Sequence, residues 1–126
     1  MNNAVRFERN VRRQVLAEAI AAYAPAARVV KAFNMCNAVV WQMEPPLFDG
    51  RRLVVLYCGD DAAAKQKVAA LIENTGGEPA DLGELKYARL LEPAAAIVIK
   101  FILAGRDPHT VLNLIPAGSE AYSVSV

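Results

Sequence analysis

The chain has 126 residues, 55% of them hydrophobic and 21% charged, with seven glycines and seven prolines. That length excludes two full domains, since one domain takes about 100–150 residues, and the composition excludes a disordered or fibrous chain. Fourteen Lys and Arg against thirteen Asp and Glu leave a net charge of +1, so no field favours nucleic acid or an anionic membrane as a partner.

The first stretch, Met1 to Arg13, is polar and Arg-rich rather than a charged start followed by an apolar run. It does not read as a secretory signal, and a cytoplasmic protein is expected. Val11 to Ala24 places Val15, Leu16, Ala19, Ile20 and Tyr23 at spacings of three and four, which predicts an amphipathic helix with that stripe on the core, ended by Pro25. Arg28 to Phe33 is short and β-branched, the pattern of a strand. Asn34 to Met43 can form a short helix before Pro45 and Pro46 break it, and Asp49 with Gly50 closes the loop that follows.

Arg52 to Tyr57 is almost continuously apolar, as a central strand covered on both faces should be. Gly59, Asp60 and Asp61 then offer a turn and an N-cap for a helix over Ala62 to Asn74, with Val68, Ala69 and Ile72 facing the core. Gly76 and Gly77 are expected as left-handed caps, and Glu78 to Leu82 as a short edge strand that tolerates Pro79. From Glu84 to Ala104 the pattern is helical, kinked at Pro93 and stopped by Gly105. Its most apolar part, Ala94 to Ala104, includes Lys100 and falls well short of the roughly 20 residues of a membrane helix, so it reads as a buried helix face.

Helices and strands alternate, which predicts a layered α/β domain with a small parallel or mixed sheet of three strands and flanking helices. A single domain over residues 1–118 and a flexible tail over 119–126 are expected. There is no internal repeat.

The chemistry-bearing residues are few. Neither GxGxxG nor GxxxxGK[ST] occurs. His109 has no nucleophile elbow to serve, so a surface or packing role competes with any catalytic one. Asp60 and Asp61 could hold a cation, but two carboxylates starting a helix are more often a cap, and no metal site is expected. Ile97, Val98, Phe101 and Ile102 could line a flat cofactor, although a stripe at helical spacing is usually core or a subunit interface, and an interface is preferred. Trp41 could stack on a ring or simply pack a short helix. Cys36 and Cys58 lack CxxC spacing and read as reduced thiols; Cys36 lies just past the first strand, where ligands bind in open α/β sheets, and Lys31 could activate it only if the strand turned back.

Four segments taken in order, RVVKAFN (Arg28 to Asn34), YCGDDAAAKQKVAALIENTGGEPADLGEL (Tyr57 to Leu85), ARLLEP (Ala88 to Pro93) and GRDPHTVLNLI (Gly105 to Ile115), resemble the C-terminal half of the deazaflavin (coenzyme F-420)-dependent NADP oxidoreductase family. That family in turn resembles the cytoplasmic reductase domain of membrane metalloreductases. The likeness covers roughly residues 12 to 115 and implies the second half of a Rossmann-like NADP-binding fold. The family's N-terminal half supplies the glycine-rich turn that receives the dinucleotide pyrophosphate. Met1 to Val5 looks like the point just after that half, so the chain resembles a family member that starts late.

The resemblance implies NADP and a deazaflavin or flavin as cofactors, and hydride transfer that needs two stacked rings rather than a catalytic acid, base or nucleophile. By the same resemblance Asn34, Met35 and Cys36 would border the gap between the rings, and the segment around His109 to Leu112 would cover it. Capping of the next helix by Asn34 and plain loop packing are the competing roles. The partners expected are a second copy, through the 84–104 helix and an exposed strand edge, and a separate nucleotide-binding chain. The alternative is a non-catalytic truncated homologue acting as a dimerising structural or interaction module.

Overall fold

The protein is seen as a computed structural model that describes residues 16–112. Its elements in chain order are α1 (Leu16–Tyr23), β1 (Val30–Ala32), a 3-10 helix (Ala38–Gln42), β2 (Leu47–Phe48), β3 (Arg51–Arg52), β4 (Val54–Gly59), α2 (Ala62–Asn74), β5 (Glu78–Asp81), a 3-10 turn (Leu85–Tyr87), α3 (Ala88–Leu103) and α4 (Pro108–Leu112). The expected α/β architecture holds: a mixed three-stranded sheet, ordered β1-β4-β5, flanked by helices. β4 is the central strand, parallel to β5 and antiparallel to β1.

Alternation along β4 builds a core on each face of the sheet. Val55 and Tyr57 pack with Ile72 of α2, and Val68 and Ala69 close against them. Leu56 and Cys58 point the other way, toward Ala17 of α1 and Leu85, Ala88 and Leu91 at the start of α3. α2 begins where a helix should: Asp61 Oδ1 accepts from the Ala64 N–H at 2.8 Å. It ends at Thr75, whose hydroxyl donates to the Ile72 carbonyl at 2.6 Å, and at Gly76 with φ +83°. Only Gly76 of the glycine pair is left-handed; Gly77 instead allows close approach, since a Cβ there would lie 3.2 Å from Val55 Cγ2. β5 is an edge strand, which is why Pro79 is tolerated opposite Val55.

Four expectations change. The stripe of α1 does not face the core: Ala17 is buried and Ala21 packs beside it, while Leu16, Ile20 and Tyr23 are exposed. Small side chains let α1 lie close to α3, where Arg89 Nε donates to Glu18 Oε2 at 2.7 Å, and this turns the larger residues outward. Val15 lies outside the described residues. Leu47–Phe48 and Arg51–Arg52 form a hairpin rather than loop and strand, because Asp49 (φ +50°) and Gly50 (φ +73°) make the two-residue turn with positive φ that suits a hairpin. The second half of α3 is no buried face, for no residue between 94 and 103 is buried. Finally, the sheet edges are short, three residues in β1 and four in β5, and offer no long unpaired edge. The anticipated flexible tail, 119–126, lies outside the described residues.

Candidate cofactor-positioning site

The segment that leaves β1 is held in a strained turn. Phe33 sits at φ +63°, a conformation that costs a bulky residue on the order of 1–3 kcal/mol unless its surroundings enforce it. Here they do. The Phe33 ring meets Trp41 edge-on, with centroids 5.4 Å apart and planes at 75°, and the Cys36 N–H donates to the Phe33 carbonyl at 3.2 Å. Trp41 therefore packs the 3-10 helix onto the sheet through Phe33. Asn37, not Asn34, caps that helix: its Oδ1 accepts from the Val39 N–H at 3.0 Å.

Asn34 is thereby free of the capping role and turned elsewhere. Its Nδ2 donates to the Leu91 carbonyl of α3 at 2.8 Å, and its Oδ1 is buried with no partner. Met35 next to it is 38% exposed, while Cys36 is half-buried and packs against the cluster of Val55, Tyr57 and Ile72. Burial pushes the Cys36 thiol up from its ordinary value. Lys31 does nothing to counter this, because alternation along β1 sends it to the opposite face of the sheet. Its Nζ pairs with Glu92 Oε1 at 3.2 Å. Burial also raises the buried Cys58, only partly offset by Lys31.

Glu92 is a structural hub that the sequence did not reveal. One oxygen accepts from the Leu16 N–H at 2.7 Å, the other from the Ala17 N–H at 3.1 Å and from Lys31. The carboxylate of α3 thus caps α1 and clamps β1 one residue beyond the carbonyl that holds Asn34.

The reason for placing a ligand at the end of the first strand does not carry over from parallel sheets. β1 is antiparallel to β4, with Val30 opposite Gly59 and Ala32 opposite Tyr57, so residues 33–36 lie at the end where β4 and β5 begin. The carboxyl ends of β4 and β5 are occupied by their own aspartates. Asp60 Oδ1 accepts from the Leu85 N–H at 2.9 Å, and Asp81 accepts from the Gly83 N–H at 2.8 Å and from Lys65 Nζ at 2.9 Å. The lysine and the Gly83 amide hold the Asp81 carboxyl below its ordinary value. Asp60 and Asp61 are caps, and no cluster of three or more metal-ligating side chains exists among the described residues.

Asn34, Met35 and Cys36 share one turn, but the structure does not bring the second predicted segment to it. α4 packs against α3 after the turn at Ala104 and Gly105. From Leu91, which anchors Asn34, to Leu103 is twelve residues, about 18 Å along the helix axis. Leu112 is 41% exposed, and the side chain of His109 lies outside the described residues. No described helix is long and apolar enough to cross a membrane.

A mixed sheet with helices on both faces and an asparagine turn at one end is a Rossmann-like α/β arrangement, and comparison with known proteins says of which kind. Over 90% of its length the chain is 39% identical to the metalloreductase STEAP3 of Rattus norvegicus, spanning 22% of that protein. Its fold matches the crystal structure of a protein described as a putative F420-dependent NADP reductase from Arthrobacter sp. FB24, with a TM-score of 0.62 and 34% identity. That match covers 72% of this chain and 41% of the other. No protein-family model matches. The chain is related in sequence and fold to the NADP reductases, as the four sequence segments imply, and it spans less than half the length of either protein.

Proposed function

We propose that this chain is the ring-positioning part of an oxidoreductase in which a hydride passes between NADP(H) and a deazaflavin or flavin. The observation that carries this reading is the Asn34 carbonyl oxygen, buried without a donor while its amide is fixed on Leu91. A buried acceptor left unmet costs about 1–3 kcal/mol, so it marks a place where a donor is expected. The carboxamide of a nicotinamide and the ring N–H of a deazaflavin or flavin are donors of this kind.

When bound, the two rings supply the redox chemistry themselves: the donor is oxidised as it gives up hydride and the acceptor is reduced as it takes it. The protein's part is to bind and orient. Asn34 accepts a ring N–H, Met35 offers an exposed apolar contact to a ring face, and Cys36 packs beneath the turn as a neutral thiol. The covering role that the family resemblance implies for His109 and Leu112 is not assigned to this turn, since α4 follows the far end of α3. No acid, base or nucleophile is assigned, because alignment of the rings does the work. The names of both relatives support a reductase, and the description of the Arthrobacter protein as an F420-dependent NADP reductase supports NADP and the deazaflavin. These 126 residues contain no GxGxxG, so the pyrophosphate cradle has to be supplied from outside them.

Titration of the full chain with NADPH and, separately, with an oxidised deazaflavin or flavin tests this. Binding of the deazaflavin with weak or absent NADPH binding is expected. Binding of neither overturns it and leaves the second reading, a non-catalytic dimerising module, which the exposed apolar half of α3 favours.

A further inference from the structure

Two polar links tie β1 and the turn after it to α3, and they land on neighbouring residues of that helix. Asn34 Nδ2 donates to the Leu91 carbonyl at 2.8 Å. Earlier in the same segment, Lys31 Nζ meets Glu92 Oε1 at 3.2 Å. Lys31 stands opposite Cys58 in the β1–β4 register, and Cys58 packs with Ala88 and Leu91, so the pair lies on the sheet face that the start of α3 covers. Residues 31–34 and 91–92 therefore close a small ring, with strand, helix and two polar links as its sides.

If a cofactor N–H meets Asn34 Oδ1, the direction of that carboxamide decides affinity. The Leu91 bond alone leaves the turn free to swivel about it. A second attachment removes that freedom before any ligand arrives, and preorganisation of this kind lowers the ordering cost of binding. The backbone needs such a tie, because Phe33 at φ +63° is strained and an unrestrained turn relaxes from it. Phe33 and Trp41 grip the turn from the opposite face of the sheet, with the core of Val55, Tyr57 and Ile72. Lys31 and Glu92 grip it from the face of α3.

We propose that Lys31 and Glu92 are positioning residues for Asn34: their ion pair sets the aim of the Asn34 oxygen and, through it, the affinity for the cofactor ring. This inference rests on the reading of Asn34 as the acceptor of a cofactor N–H. Neither Lys31 nor Glu92 is assigned a contact with the ring, and both act through Asn34. Glu92 suits the task because its carboxylate is itself immobilised, accepting from the Leu16 and Ala17 amides of α1. Lys31 thus pairs with a stationary partner, and at 22% and 19% exposure the two side chains are largely screened from water.

Lys31→Met breaks the pair and leaves Glu92 on the α1 amides, so it separates aiming from capping. In a fluorescence titration of the full chain with an oxidised deazaflavin, Lys31→Met should weaken binding about threefold, the size that an ion pair of modest strength can transmit. Lys31→Arg, which keeps the charge, should bind as the wild type does. In an Asn34→Ala background Lys31→Met should have no further effect, because the group that it aims is gone. A readout without ligand is the Asn34 side-chain amide in NMR spectra, whose protons should exchange with water faster in Lys31→Met while far-UV circular dichroism is unchanged. If Asn34→Ala weakens binding but Lys31→Met does not, or weakens it equally in both backgrounds, the positioning role is overturned and the functional reading stands. Unchanged exchange of the Asn34 amide overturns it as well. If Asn34→Ala itself leaves affinity unchanged, the functional reading falls and the positioning role falls with it.

Discussion

Replacing Glu92 by alanine removes three interactions with one carboxylate, and their sum can be worked from the structure. The Leu16 and Ala17 amides lose an acceptor at 2.7 and 3.1 Å; a lost N-cap costs about 0.5–2 kcal/mol. Lys31 loses its partner at 3.2 Å, with the two side chains 22% and 19% exposed. Removing one partner of a fully buried pair costs about 3–5 kcal/mol, whereas exposed pairs contribute about 0–1 kcal/mol. For this intermediate exposure about 1–2 kcal/mol is appropriate, because Lys31 can still reach water. The expected total is about 2–3 kcal/mol, or a fall of roughly 6–15 °C in melting temperature for a domain of this size. Glu92→Gln keeps an acceptor for the α1 amides but loses the charge, and should cost about half as much. Denaturant unfolding of the wild type, Glu92→Ala, Lys31→Met and the double variant gives the coupling directly. A Glu92→Ala loss below 0.5 kcal/mol, within the range of ordinary surface substitutions, would refute the assignment of Glu92 as the clamp between α1, β1 and α3.

Gly76→Ala should destabilise by about 1–3 kcal/mol, because φ is +83° and the new Cβ would stand 2.9 Å from Pro46 Cδ; chemical denaturation measures it. The Cys36 thiol, raised by burial, stays protonated at neutral pH and should react with iodoacetamide more slowly than a free cysteine. The Lys65–Asp81 pair adds stability bounded at both ends of the pH scale. Asp81 is lowered, so its share is present above the unfolded carboxyl value and is lost as pH falls through the folded one. Lys65 is raised, so its share is present below the unfolded amine value and is lost as pH rises through the folded one. Asp81→Asn should remove this pair's contribution at both ends in melts followed against pH.

Local signals in the sequence survived and long-range ones did not. Asp61 is read as a cap because the carboxylate and the amide it serves lie three residues apart, and the α2 stripe follows from its own spacing. The direction of β1 carries no such signal, since three residues with no helical crossover read the same parallel or antiparallel. That direction puts Asn34 at the opposite end of the sheet from the Gly59 and Gly83 turns. The α1 stripe misleads because burial was decided by the fit of Ala17 and Ala21 against the start of α3, not by the largest apolar residues. Asp49-Gly50 is a hairpin signal whose arms, two residues each, are too short to show alternation. Asn34 is legible as a candidate through the family resemblance, but its anchor on Leu91 joins residues 57 apart in sequence. Neither spacing nor composition points to the Glu92 clamp beside it.

The most direct measurement is a fluorescence titration of an oxidised deazaflavin against the wild-type chain, Asn34→Ala, and the variant in which Asn34, Met35 and Cys36 are all alanine. If the buried Asn34 oxygen accepts a ring N–H, the single change should weaken binding about five- to tenfold, as loss of one net hydrogen bond of about 1–1.5 kcal/mol requires. The triple change should weaken it further. Unchanged affinity in the triple variant, with its fold intact, would contradict the placement of the cofactor ring at this turn.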